Sequence, residues 1–379
     1  MRLLATMVQG GRGGIHRYVH ELARRLAVRP DIALSIDHLA HEAELFAGLG
    51  GARQAAPGWD RGGLRDLLRA HLQVRAPAGG LLHVPSYRRV PWLMGGPCVA
   101  TVHDLAALHQ PEKYGWLRHQ FLRRAVPPAL RRCAAIITPT RHTADDLVMQ
   151  LGLPAGLITV IPNGIDHAVL RPGDRHEALA RVQAWQPQIA RDFVLYLARV
   201  EHPGKGHTAL LDAWAQLAAT RRDLPQLVFA GALVERHAEV LAHARSLGLS
   251  PLCTGHVPEA LLADLYRACL LKVFPSRYEG FGLPPVEAMS CGAPVASSRT
   301  AALAETAGPA AVLDPDCPES MAAVIATCWT IPPPGRPSRQ PGHHGPRILI
   351  GMPPPTRPWR STTAWRTELI VQEVLATRR

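Results

Sequence analysis

Three times in this chain a short apolar run breaks at a glycine-bearing loop and resumes with apolar residues at helical spacing. The first run starts at Met1, loops through 9–14 and continues at 18–26. The second is 193–198, followed by a loop carrying Gly204 and Gly206 and a helical stretch through 209–214. The third is 269–274, interrupted by Lys272, then a loop with Gly280 and Gly282 and a helix ended by Gly292 and Pro294. Pro284 and Pro285 suit the first turn of that helix, where a missing N–H costs nothing. Further strand-like runs at 81–85, 98–105, 134–140, 226–232 and 252–257 alternate with helical stretches, and 64–72 reads as a helix. Such alternation predicts an α/β chain of parallel sheets covered by helices, with ligand residues at the C-terminal ends of strands.

At 379 residues the chain has room for two domains of ordinary size. No run of 18 apolar residues is present, and the N-terminus reads as a strand rather than a signal peptide. Seven cysteines without C-x-x-C spacing fit reduced thiols, which points to a cytoplasmic protein rather than a disulfide frame or zinc site. The net charge of +12 invites a nucleic-acid reading. Its distribution argues against one, because residues 331–379 hold eight arginines and two glutamates, half of the excess. The remaining charge suits an anionic small molecule or membrane surface.

The loops carry the chemistry. Free N–H groups at the start of the third helix favour an anion or a hydroxyl-rich ligand. Glu279 precedes that helix, and Glu287 is expected in its first turn, both facing one crevice. Arg199 and Lys205 place two cations on the second loop, suited to charge developing on a departing diphosphate. Alternative readings leave the glutamates as solvated helix-end charges and the two cations as loop surface charges.

The segment E-G-F-G-L-P-x-x-E-A-M, residues 279–289, resembles the donor-site signature of the family-4 retaining glycosyltransferases of GT-B fold. The resemblance implies two Rossmann-like parallel-sheet domains facing a central cleft. It implies a sugar transferred from a nucleotide-diphosphate donor to a carbohydrate or lipid-linked acceptor, in polysaccharide or glycoconjugate synthesis. It assigns the ribose hydroxyls to Glu287, the donor sugar to Glu279, and sugar or phosphate contacts to Gly280, Phe281, Gly282 and Leu283. Arg199 and Lys205 match the family's diphosphate-binding pair. T-V-H-D-L at 101–105 matches a segment whose histidine lies near the reacting face of the sugar, making His103 a candidate, with Asp104 orienting its ring or capping the next turn. Gly13 and Gly14 match a loop near the donor phosphates and acceptor, and Val257 borders the base. No bound metal or other cofactor is expected. A non-catalytic nucleotide-sugar-binding homologue, a GT-B epimerase and a phosphorylase stay open as alternatives.

N-G-I-D at 163–166 resembles the family's crossover between domains, placing an acceptor-side domain at 1–170 and a nucleotide-sugar-binding domain at 171–328. The stretch 113–124 interleaves bases and aromatics. It reads either as an amphipathic helix lying on the inner face of the plasma membrane or as an ordinary helix with a solvated basic face. Beyond 328 the pattern collapses, with ten prolines between Ile331 and Arg360. Residues 329–367 read as an irregular Pro/Arg-rich segment whose codons, taken in another phase, permit a Trp followed by an alanine-rich amphipathic helix. That suggests a shifted reading frame, with a helix remnant at 368–379.

Overall fold

The computed structural model describes residues 1–6, 13–49, 52–55, 72–234 and 236–330. The expected helix at 64–72 falls almost wholly outside them, and the Pro/Arg-rich segment from 331 onward lies outside them altogether. The chain divides into two compact units between Gly164 and Ile165.

The first unit holds a seven-stranded parallel sheet: β1 (Arg2–Leu4), β2 (Ser35–His38), β3 (Ala52–Ala55), β4 (Leu82–Val84), β5 (Cys98–Thr101), β6 (Ala135–Thr138) and β7 (Ile158–Val160), in the order β3-β2-β1-β4-β5-β6-β7. The second unit holds a six-stranded sheet: β8 (Phe193–Leu197), β9 (Gln226–Ala230), β10 (Leu252–Gly255), β11 (Leu271–Phe274), β12 (Val295–Ser298) and β13 (Ala311–Leu313), in the order β10-β9-β8-β11-β12-β13. Every pairing is parallel. Parallel strands need crossovers, and helices supply them, so the central strands are buried on both faces and read as near-continuous apolar runs. Phe193, Val194, Leu195 and Tyr196 of β8 are all buried, on alternate faces of the sheet. Leu195 packs with Val182, Leu265 and Val286, while Val194 packs with Leu210, Trp214 and Ile325.

In both sheets the strand order reverses at one place, between β1 and β4 and again between β8 and β11. Loops leaving neighbouring strands at such a reversal share the carboxyl edge of the sheet, where open α/β sheets take their ligands. In the second unit the two loops are 198–206 and 275–282, the ones the sequence singles out. This is the two-unit Rossmann-like architecture expected.

One expected element comes out differently. The stretch 113–124 is two helices, Pro111–Tyr114 and Trp116–Arg124, broken at Gly115, whose φ of 73° an L side chain rarely adopts. Among the described residues no helix is long and apolar enough to cross a membrane.

Candidate active site

Loop 198–206 and loop 275–282 are held against each other by backbone. The Arg277 N–H donates to the Gly204 carbonyl at 3.1 Å. A Cβ on Gly206 would stand 2.0 Å from the Pro275 carbonyl oxygen, so only glycine allows the approach. Tyr196, at the end of β8, donates its hydroxyl to the Lys205 carbonyl and fixes the loop from below.

With the backbones fixed, the side chains meet. Lys205 Nζ donates to Glu279 Oε1 at 2.6 Å, with both side chains largely buried. Arg199 lies on the same loop but points outward; its guanidinium is half exposed and 3.7 Å from Glu201. Among the described residues it forms no ion pair with Glu279.

Helix Leu283–Ser290 begins at the Gly282 cap, φ 81°, with Pro284 and Pro285 in its first turn as expected. That left-handed φ is what favours glycine here; a Cβ would also meet the Leu303 Cδ2 at 2.3 Å. Phe281 is buried among core residues and its carbonyl accepts from the Thr306 hydroxyl at 2.6 Å, while Leu283 packs against the same core. Gly280 lies in the loop between Glu279 and this cap. Glu287 is the helix's fifth residue, so it belongs to the second turn rather than the first. It is 3% exposed and accepts a hydrogen bond from the Tyr266 hydroxyl at 2.8 Å. A buried carboxylate held this way is a positioned acceptor, not a solvated helix-end charge.

Lys272 completes the arrangement, and the sequence reading passed over it. It sits in mid-strand on β11, wholly buried. Its ammonium donates to the Val273 carbonyl at 3.0 Å and the Leu197 carbonyl at 3.4 Å, and lies 5.0 Å from the Tyr196 ring centre and 4.7 Å from that of Phe274. It therefore staples β8 to β11 beneath both loops. Burial pulls its pKa down to about 7, against the opposing pull of Cys269, Glu287 and Glu279. Its only trace in the sequence is a cation interrupting an apolar run.

Val257 follows β10 and packs its side chain on the core. In the first unit, Gly13 caps and Gly14 starts helix Gly14–Ala27. His103 follows β5; its ring stands edge-on to Tyr18 at 4.8 Å, and its Nε2 has no hydrogen-bond partner among the described residues. Desolvation lowers its pKa to about 4, partly offset by a bond to the Pro85 backbone, so the ring is neutral near pH 7. Asp104 caps the next turn, its Oδ1 accepting from the Ala106 N–H at 3.0 Å.

The family model for glycosyltransferase family 4 matches residues 12–169, and that for glycosyl transferases group 1 matches 191–330. A D-inositol 3-phosphate glycosyltransferase of Catenulispora acidiphila is 31% identical over 342 residues, 79% of this chain and 78% of that protein. The chain belongs to glycosyltransferase family 4. The O-antigen chain mannosyltransferase B of Escherichia coli is 29% identical over 352 residues, 82% of this glycosyltransferase and 86% of that one. Two solved structures share the fold. HepE of Anabaena, in complex with UDP and glucose, superposes with a TM-score of 0.69 at 19% identity, covering 99% of this chain and 98% of that one. Sucrose-phosphate synthase of Thermosynechococcus elongatus gives 0.72 at 19% identity, with 99% of each chain covered. These likenesses identify the fold as GT-B.

Proposed function

We propose that this retaining glycosyltransferase takes its nucleotide-sugar donor on the carboxyl edge of the second sheet, in the crevice between the loops after β8 and β11. The supporting observation is the Lys205–Glu279 pair, made by residues 74 apart in sequence across the point where the strand order reverses. Glu287 holds the ribose hydroxyls, and Glu279 the sugar. Loop residues 280–283 line the sugar and phosphates, and Val257 borders the base. Lys205 exchanges Glu279 for the donor diphosphate, and Arg199 swings from Glu201 to join it. Their charge then stabilises the leaving diphosphate, a role worth about 3 kcal/mol per donor group, and no metal ion sits on the phosphates. His103 offers its neutral ring to the sugar, with Gly13 and Gly14 beside the phosphates. The acceptor is a glycan, free or lipid-linked, as in polysaccharide synthesis.

The enzyme acts on the cytoplasmic side, resting on the inner membrane surface through 113–124. Trp116 and Leu117 are 69% and 77% exposed there, beside Lys113, Arg118, Arg123 and Arg124, a pairing of apolar and basic groups that suits an anionic lipid surface. All seven cysteines are free, in keeping with a reducing compartment.

Thermal shift with UDP-, GDP- and ADP-sugars in EDTA tests the donor reading. One nucleotide series should stabilise the protein, and Glu287→Ala should abolish that shift. A shift that survives Glu287→Ala refutes the ribose assignment. Sedimentation with phosphatidylserine vesicles tests the membrane reading; equal binding by wild type and a Trp116→Ala, Leu117→Ala double variant refutes it.

A further inference from the structure

A second cluster of chemically capable side chains lies in the first unit and includes no residue assigned to the donor. His142 and Asp146 are four residues apart on helix Arg141–Leu151, and so share one face. His109 ends the short helix Ala106–His109. His109 Nε2 lies 2.7 Å from Asp146 Oδ2, and His142 Nε2 lies 3.6 Å from that same oxygen. One donor atom from each residue falls within 4.8 Å of the others.

We propose that His109, His142 and Asp146 form a binding site for a divalent first-row transition ion, zinc by preference, tying the helix after the His103 loop to helix Arg141–Leu151. His109 stands within hydrogen-bond distance of the carboxylate oxygen. The second imidazole stands beyond hydrogen-bond reach of the oxygen, at a spacing suited to sharing an ion. Ligands of a tetrahedral zinc stand about 3.3 Å apart, and separations of 2.7, 3.6 and at most 4.8 Å bracket that value. Small rotations of two side chains, each about one-third exposed, close the triangle. Two imidazoles and one carboxylate suit zinc, cobalt, nickel or copper, whereas magnesium and calcium require more oxygen ligands. The fourth position is left to water, which reaches the cluster from the exposed His109 side. The ion's role is structural: it braces the first unit and takes no part in chemistry at the donor phosphates.

The test uses the full-length protein stripped with chelator and dialysed, then titrated with zinc by calorimetry and with cobalt by visible absorption. Wild type should bind one more zinc than His142→Ala, and one more than His109→Ala, and only wild type should show the strong absorption of tetrahedral cobalt. His243→Ala, which removes a surface histidine bonded to Asp212 at 2.7 Å, should retain the site. Zinc near one hundred times its Kd should raise the wild-type melting midpoint by about 5 °C and leave that of His142→Ala unmoved. Equal zinc stoichiometry in wild type and His142→Ala overturns the proposal, as does a wild type that binds none. Circular dichroism checks each variant; should His109→Ala unfold, His142→Ala decides.

Discussion

Lys205 and Glu279 face each other at 2.6 Å from two loops that adjacent parallel strands deliver to the same edge. On the proposed reading, the donor diphosphate takes the place of Glu279 at Lys205. Lys205→Ala should therefore lower kcat/KM by about 10²- to 10³-fold, mostly through kcat. Glu279→Ala should leave nucleotide affinity within about twofold while weakening discrimination between sugars. Steady-state kinetics over paired sugar donors measure both; a Lys205→Ala enzyme changed only in KM would contradict a role in leaving-group stabilisation.

The Tyr266 hydroxyl donates to Glu287 Oε2 at 2.8 Å. Tyr266→Phe removes one hydrogen bond to a buried carboxylate and should weaken nucleotide binding by about 1.5 kcal/mol, roughly tenfold. Calorimetric titration with the free nucleotide reads this directly, and unchanged affinity would show that Glu287 is held by other groups.

Lys272 makes stability depend on pH in a stated direction. Its folded pKa, about 7, lies below the usual 10.5, so between those values the unfolded chain binds the extra proton. Stability attributable to this residue is greatest above 10.5 and is lost as pH falls toward 7. Lys272→Met should accordingly unfold at higher denaturant than wild type at pH 7, the gap narrowing by pH 10. A gap that does not change with pH would mean the ammonium carries no desolvation penalty. The same variant should lose activity, because the tie between β8 and β11 is gone.

Two buried histidines, His83 and His207, and the partly buried His103 act on the acid side. Burial lowers His83 and His207 to about 3 and His103 to about 4, from 6.5. As pH falls below 6.5 the unfolded chain takes up these protons first, so stability drops until the folded pKa values are reached. Denaturant midpoints should fall steadily between pH 6.5 and 4. His207→Phe should flatten that slope, and a slope unaltered by it would rule the residue out.

Gly206→Ala should destabilise the second unit by about 2 kcal/mol or more, because φ is +70° and the new methyl meets the Pro275 carbonyl. The damage should appear in donor affinity as well as in melting temperature. Ala at Gly248, where φ is +69° but nothing lies within 4 Å, is the control for backbone strain alone.

How much of this the sequence discloses depends on whether a feature is local. The loops around Arg199, Lys205, Glu279 and Glu287 are legible because glycine, proline and apolar spacing are local signals. Strand order is not local, so nothing in the residues says that β11 lies beside β8. The contact of Lys205 with Glu279 therefore follows only from the fold. Glu287 was expected one turn too early, since cap geometry at Gly282 fixes where helical counting starts. Gly115 broke a helix that composition alone presents as continuous. Lys272 was visible only as an irregularity, and its meaning needs the two carbonyls that receive it.

The strand order also governs when the protein becomes competent as it leaves the ribosome. β8, β9 and β10 emerge together and can pair with one another, but β8 then has a bare flank until β11 is synthesised. Through that interval the nascent chain displays Lys205 without Glu279, so the pair that marks the finished loop edge forms only after β11 has been added beside β8.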